Sequence, residues 1–389
     1  MKVMDKVLIV GAGLTGATLA RKFAESNLLV EVVEARSHVA GNCYDELDSR
    51  TNVMVHKYGP HIFHTNNKDV WGFVNRFGEF TPYKLQVKTK VSGEVYSLPL
   101  NLHTINQFYR KTFSPKQAKQ YISELCSVYQ DLKEESFRDI GLKSVGKDIY
   151  ESFFKCYAEK QWGVSDNLIP AGVLKRLPIR FNYDDNYFNH SYQGIPKNGY
   201  TAVIKNMLQH KNINIEVNKK VTIQDLRNSL DSGEFLHVVF TGPVDELYDY
   251  QYGELPYRTL RFETKYFDDD DLGCAVMAHP SKEYKFTRIT DHKYFMPWRL
   301  DETNGSIQYY EYSKNADRAD EKYYPVRLTD GNEVWSKYQK IIGKEIGISF
   351  IGRLAEFKYM DMDVCVLSAL NKFENIINII RNKHEINRS

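Results

Sequence analysis

No stretch of the 389-residue sequence approaches the roughly 20 apolar residues that a bilayer-spanning helix requires. The opening segment Met1–Lys6 leads into a four-residue apolar run that ends at Gly11. That run is too short for the core of a secretory signal, and no cleavage site follows it. The formal net charge is only +2, without a clustered basic face, so counterion-driven binding to nucleic acid is not expected. Asp268–Asp271 is a short acidic run that reads as solvated loop. The five cysteines (Cys43, Cys126, Cys156, Cys274, Cys365) form no CxxC pair and no metal-ligand spacing, so they read as free thiols in a reducing compartment. No Ser/His/Asp order, metal cluster, internal repeat or low-complexity tract is visible. These absences predict a soluble cytoplasmic protein without nucleic-acid, metal or membrane partners.

What is present is globular: 42% hydrophobic and 26% charged residues, in a chain long enough for two or three domains. Aromatic content is 13%, led by 27 tyrosines. Tyr joins a flat apolar body to a polar tip, which suits sugar and nucleotide pockets.

Val7–Val10 is a buried strand pattern, Gly11–Gly16 a turn, Ala17–Glu25 a helix and Val30–Glu34 a second strand. Gln86–Val91 and Glu94–Ser97 flank Ser92-Gly93 as a hairpin. Helix dominates from Ser114-Pro115, an N-cap followed by Pro at the first helical position, to Gly163. Within it Ile149, Phe153, Phe154 and Tyr157 share one helical stripe. Ser191–Gly199 reads as loop, Tyr200–Gln209 as helix, and His237–Thr241 as a strand before Gly242-Pro243. Strand-like runs fill Arg258–Tyr266 and Tyr284–Tyr312; Ile348–Ile351 is a last short strand and Asp361–Ile380 a closing helix. The expected class is α/β. A Rossmann-like dinucleotide-binding domain takes 1–75, 216–250 and 345–389, and an inserted helical bundle takes 101–180. A twisted antiparallel sheet takes 76–100, 181–215 and 251–344.

Gly11-Ala12-Gly13-Leu14-Thr15-Gly16 matches GxGxxG between a strand and a helix. The first glycine permits the tight turn, the second lets the backbone approach a pyrophosphate, and the third lets helix and strand pack closely. The helix N-terminus that follows offers free N–H groups and partial positive charge to the phosphates, with Leu14 of the turn counted among the cofactor-binding residues. Glu34 ends the second strand, where a carboxylate can accept from adenosine ribose hydroxyls. Two features favour FAD over NAD. One is the small-residue turn Ala40-Gly41-Asn42 after the second strand. The other is the C-terminal strand with a helix starting near Asp361 and Met362, whose N-terminus would face a reduced flavin.

Several longer runs follow one another: GNCYD (41–45), VHKYGPHIFHT (55–65), LPLNLHTINQF (98–108), FFKCYAEKQWG (153–163) and LKRLPIRFNYDDNYF (174–188). Further on come YQGIPKNGYT (192–201), FTGP (240–243), FTRITDHKYF (286–295), YYPVR (323–327) and GRLAEFKYMDMD (352–363). Taken together and in this order, they resemble the bacterial UDP-galactopyranose mutases along nearly the whole chain. The resemblance implies an FAD domain, a helical bundle and a twisted sheet around a cleft closed by a mobile loop. It also implies a homodimer and an isomerase that interconverts UDP-galactopyranose and UDP-galactofuranose. There the N5 of reduced flavin attacks the anomeric carbon, UDP leaves and returns, and no net redox change occurs. A cellular reductant such as NAD(P)H would keep the flavin reduced.

By the same resemblance Arg176 and Arg288 clamp the diphosphate, a role that suits the planar, bidentate guanidinium. Tyr187, Tyr324 and Tyr359 donate hydroxyls to phosphate or sugar. Phe154, Tyr157 and Trp162 border the uracil, with Ala158 standing where some members carry a hydroxyl residue. His61 lies beside the flavin ring as a neutral imidazole, and His64 reads as structural. Arg353 stabilises anionic reduced flavin, Asp361 caps the closing helix or touches the flavin, and Glu311 orients the sugar or packs on a strand face. No protein group stands out as a general acid. Alternatives are, by the resemblance, a mutase acting also or mainly on UDP-N-acetylgalactosamine, and otherwise an FAD-dependent oxidoreductase or a non-catalytic nucleotide binder.

Overall fold

The structure, a computed structural model, describes residues 5–171, 179–327 and 329–386. Five parallel strands form one sheet in the spatial order Ile213–Glu216, Leu29–Val33, Lys6–Val10, His237–Phe240, Ile348–Phe350. In chain order this is 3-2-1-4-5, the doubly wound arrangement, so the strand order reverses beside Lys6–Val10. The two faces of this sheet bury alternate residues, as the two-residue side-chain period demands. Val7, Ile9, Val30, Val32 and Val239 pack on one side against the helices Leu14–Glu25 and Met362–Ile386. There Phe23 meets Phe373 edge-on with ring centres 5.2 Å apart. Leu8, Val10, Val33, Val238 and Phe240 pack on the other side with Trp335 and Tyr338 of the helix Thr329–Ile342.

A second, seven-stranded sheet runs Tyr324–Pro325, Tyr257–Phe267, Ser306–Asn315, Arg288–Asp291, Val276–Ala278, Val87–Val91, Glu94–Leu98. It is antiparallel except where Val276–Ala278 runs parallel to Val87–Val91. Between its last two strands and the rest, the chain makes the helical part: Leu102–Tyr109, Pro115–Cys126, Phe137–Ile149 and Cys156–Trp162. Capping boxes at Ser114/Gln117 and Ser136/Asp139 start two of these helices by answering otherwise unpaired N–H groups.

Several expectations shift. Ile213–Glu216 belongs to the parallel sheet, not to the second one, because it hydrogen-bonds along Val30–Val33. The helix Thr329–Ile342 likewise buries Trp335 and Tyr338 in the core of the parallel sheet. Tyr192–Pro196, expected as loop, is the central strand between Phe63–Thr65 and Phe80–Pro82. Tyr150–Lys155 is a π-helical turn rather than plain α-helix. Its extra residue per turn alters the stripe read from the sequence, and such turns recur at functional sites. Among the described residues, no helix is long and apolar enough to cross a membrane.

Candidate active site

A groove of about 540 Å³ runs over the C-terminal ends of Lys6–Val10 and His237–Phe240, at the point where the strand order reverses. Gly11, Gly13, Leu14, Glu34, Asn42, Arg353 and Met362 all line it. Gly11 turns at φ +105°, and a Cβ there would sit 2.1 Å from the Thr241 hydroxyl, itself bonded to the Val10 carbonyl at 2.9 Å. Gly16 lies beneath the turn, where a Cβ would meet the Gly11 carbonyl at 1.9 Å. A Cβ on Gly13 would make only an ordinary contact with Gly41, 3.8 Å away. The three glycines therefore separate: Gly11 and Gly16 are needed by the fold, whereas the bareness of Gly13 serves whatever fills the groove. The helix Leu14–Glu25 begins with no side-chain cap and no acidic residue in its first turn, leaving its N–H groups to an anion. The Glu34 carboxylate is buried and oriented by the N–H groups of Ala12 (2.8 Å) and Arg36 (2.9 Å). The glycine cradle, uncapped helix end and oriented carboxylate fit a dinucleotide.

Two clasps at the groove were not foreseen. Lys322 donates to the carbonyls of Asp317 (2.6 Å), Arg318 (3.2 Å) and Asp320 (2.9 Å), folding a loop from the second sheet along the groove. The Asn42 amide donates to the Lys322 carbonyl at 3.3 Å and accepts from Arg36 at 2.9 Å. Lys219 and Lys220 also line the groove, at the end of the short strand Ile213–Glu216. Recognising that strand would have pointed to them, since ligands in such sheets sit at the carboxyl ends of strands.

The groove opens into a second cavity of about 270 Å³; His61, Arg353 and Met362 line both. His61 is held at three atoms. Its N–H donates to His56 Nδ1 (3.0 Å), its carbonyl accepts from the Tyr200 hydroxyl (3.1 Å), and its Nδ1 lies 2.7 Å from the Gly59 carbonyl. A carbonyl only accepts, so Nδ1 carries the proton and Nε2 is left as an acceptor. Burial, and then the positive charge of Arg353 and Arg288, lower the imidazole pKa to about 4, so it stays neutral near pH 7.

Arg288 lies in register with Glu311 on the neighbouring strand. Its Nε and Nη2 reach one Glu311 oxygen at 2.8 and 2.7 Å, and the Thr287 hydroxyl meets the other at 3.2 Å. Burial by itself lowers Arg288, but the Glu311 carboxylate outweighs it and keeps the guanidinium firmly protonated. Phe154, Tyr157, Tyr187, Tyr324, Tyr359 and Asp361 line the same cavity. Burial raises Tyr157 and Tyr187 and pushes Tyr324 up to about 12, so these hydroxyls are donors at neutral pH. Arg353 donates Nε–H to the Met360 carbonyl at 2.9 Å and sits 5.5 Å from the Tyr359 ring centre. Among the described residues no carboxylate pairs with it, so its charge remains available to an anion in the shared opening.

Some expected residues lie elsewhere. Glu311 is 1% exposed and faces Arg288, so it aims that arginine instead of lining the cavity. Trp162 packs against the helical core and lines neither cavity. Arg176 falls outside the described residues. Asp361 lends its carbonyl to the first bond of the closing helix, from the Cys365 N–H at 3.0 Å. His64, read as structural, lines the second cavity, stacked on Phe188 with its Nδ1 2.7 Å from that of His190.

Comparison with known proteins agrees with this arrangement. The family model described as UDP-galactopyranose mutase matches residues 152–359, and one described as a NAD(P)-binding Rossmann-like domain matches 9–77. An Escherichia coli protein named dTDP-fucopyranose mutase is 50% identical over 94% of this chain and 97% of its own length. A Klebsiella pneumoniae protein named "Probable UDP-galactopyranose mutase" is 45% identical over 98% of this chain and 97% of its own length. The crystal structure of a reduced UDP-galactopyranose mutase superposes with a TM-score of 0.74 at 15% identity. It covers 97% of this chain and 94% of that one, a likeness of fold. The chain belongs to the UDP-galactopyranose mutase family and is an isomerase built on a Rossmann-like domain.

Proposed function

We propose that the protein interconverts UDP-galactopyranose and UDP-galactofuranose, with FAD in the groove required in its reduced state. The observation that carries this reading is the shared opening: the dinucleotide groove meets, at His61 and Arg353, a cavity that presents Arg288. Reduced flavin would supply the nucleophile for the anomeric carbon. The chain's own residues hold what leaves and returns. Arg288, kept charged and aimed by Glu311, neutralises the diphosphate. Tyr157, Tyr187 and Tyr324 donate hydroxyls to phosphate or sugar oxygens, and Nε2 of His61 accepts a proton-bearing group at the opening. Arg353 stabilises negative charge on the flavin side. Arg176 completes the diphosphate clamp in this reading. A reductant such as NAD(P)H, a homodimeric assembly, a cytoplasmic location and supply of furanose for surface polysaccharide accompany it.

The test is to give the dithionite-reduced holoprotein UDP-galactofuranose under anaerobic conditions. One UDP-galactopyranose should appear per furanose consumed, with the flavin spectrum unchanged across turnover. Stoichiometric oxidation of the sugar would establish an oxidoreductase instead.

A second reading has its own support. The relative at 50% identity is named a dTDP-fucopyranose mutase. The cavity wall formed by Leu98, Phe153, Phe154, Val276 and Ala278 is apolar and suits the methyl group of thymine. Parallel assays with dTDP-fucofuranose and UDP-galactofuranose, compared as kcat/KM, decide between the two substrates.

A further inference from the structure

Lys160 lies on the helix Cys156–Trp162, one turn after Tyr157. Its ammonium reaches four main-chain carbonyls of one segment: His279 (2.5 Å), Ser281 (3.0 Å), Tyr284 (3.0 Å) and Phe286 (2.9 Å). An ammonium has three N–H groups, so four converging oxygens saturate it. The segment joins Val276–Ala278 to Arg288–Asp291, whose residues Ala278 and Arg288 pair across the two strands and both line the second cavity. Tyr157 lines the same cavity from the helix. One side chain therefore ties together two walls that meet the same contents.

The helix end is fixed independently. Arg258 donates to the carbonyls of Gln161 (2.9 Å) and Lys160 (3.2 Å), and the Ser313 hydroxyl donates to Gln161 at 2.8 Å. Gly163 then turns away at φ +71°, where a Cβ would lie 2.4 Å from the Arg258 guanidinium. With its own end held by the Tyr257–Phe267 and Ser306–Asn315 strands, the helix is an anchored base from which Lys160 holds the segment leading to Arg288. No carboxylate pairs with Lys160 among the described residues, so the grip is made by carbonyl dipoles alone.

We propose that Lys160 is a positioning residue for the nucleotide-diphosphate sugar: by caging its ammonium in the 279–286 carbonyls, it sets the spacing between the Tyr157 wall and the Arg288 wall. This rests on the reading of the cavity as the substrate's seat. Turnover by the wild-type holoenzyme tests that reading, and the variant-to-wild-type ratio tests Lys160.

Lys160→Met keeps the stem and removes the charge and donors. In the flavin-loaded enzyme, the Kd for UDP, followed by titration calorimetry, should rise about tenfold. The kcat/KM for the furanose should fall about 100-fold, as expected for reacting groups displaced by about 1 Å. Flavin content should match wild type, while the melting temperature should fall by a few degrees because the caging carbonyls lose their donor; a brace without bearing on substrate would show that fall without the lost affinity. Lys160→Ala empties the cage. Methylammonium should restore most of its UDP affinity, whereas tetramethylammonium, which has no N–H, should not. Wild-type UDP affinity and kcat/KM in Lys160→Met would overturn the proposal. So would a folded Lys160→Ala enzyme whose lost UDP affinity methylammonium leaves unrestored.

Discussion

Replacing Glu311 with Gln tests whether the cavity is built around an anionic diphosphate. The substitution keeps the shape, and with the amide oxygen turned to Arg288 the Thr287 hydroxyl still donates to the main-chain carbonyl of residue 311, but it removes the counter-charge of Arg288. Glu311 is 1% exposed and the Arg288 side chain 24% exposed, so neither end is relieved fully by water. Removing one partner of a buried ion pair costs about 3–5 kcal/mol. The amide oxygen still accepts one N–H bond and Arg288 keeps some solvent, which places Glu311→Gln near the lower end, about 3 kcal/mol. At roughly 2 °C per kcal/mol for a chain of this size, the flavin-loaded enzyme should melt about 6 °C below wild type. A bound diphosphate replaces the missing charge, so saturating UDP should narrow that gap to about half. Flavin release on heating, followed by fluorescence with and without UDP, measures both shifts. Equal UDP stabilisation of the two proteins would refute the placement of Arg288 against the diphosphate, and an unchanged melting point without UDP would refute the energetic role of the pair.

Four further substitutions separate fold from function. Gly13→Val should give folded but colourless protein, since its Cβ meets only an ordinary contact, whereas Gly16→Ala should destabilise the protein itself through a 1.9 Å approach to the Gly11 carbonyl; absorbance at the flavin maximum and circular dichroism distinguish the two. Asp245 is buried, with its carboxyl pKa raised to about 6 by desolvation and one oxygen without a hydrogen-bond partner among the described residues. The folded state then holds this proton more tightly than the unfolded chain, so its contribution is intact at low pH and is lost as pH rises from about 4 to about 6. Denaturant unfolding of wild type minus Asp245→Asn should decline across that window by up to about 3 kcal/mol, and a flat difference would count against it. His56→Phe leaves the His61 N–H without its acceptor at a cost of about 1–3 kcal/mol; kcat should fall more than UDP affinity, and a drop in UDP affinity alone would argue against His56 acting through His61.

What was legible in the sequence was what local chemistry dictates. The glycine turn, its flanking strands and Glu34 follow from backbone geometry within some thirty residues, and the structure gathers them on one groove. Ile213–Glu216 alternates apolar and polar residues over only four positions at an exposed sheet edge, a run too short to say which sheet it joins. The helix Thr329–Ile342 follows the last strand of the second sheet in sequence yet packs on the parallel sheet, a long-range choice that no local pattern carries. Glu311 shows the deeper limit. Its partner is 23 residues away and is set by strand register, and a slip of one residue would turn it to the other face of the sheet. Lys160 goes further, since its partners are carbonyls that every residue carries, and no residue type announces them. Side chains that touch a ligand are chosen for their chemistry and can be read as motifs. Those that aim them are chosen for a distance between two segments, which exists only once the segments have met. A change at Lys160 or Glu311 should therefore resemble a change at Arg288 in its kinetics while leaving every ligand-contacting residue in place, which is why the substitutions at Lys160 compare affinity with turnover, and that at Glu311 compares stability with and without UDP, rather than activity alone.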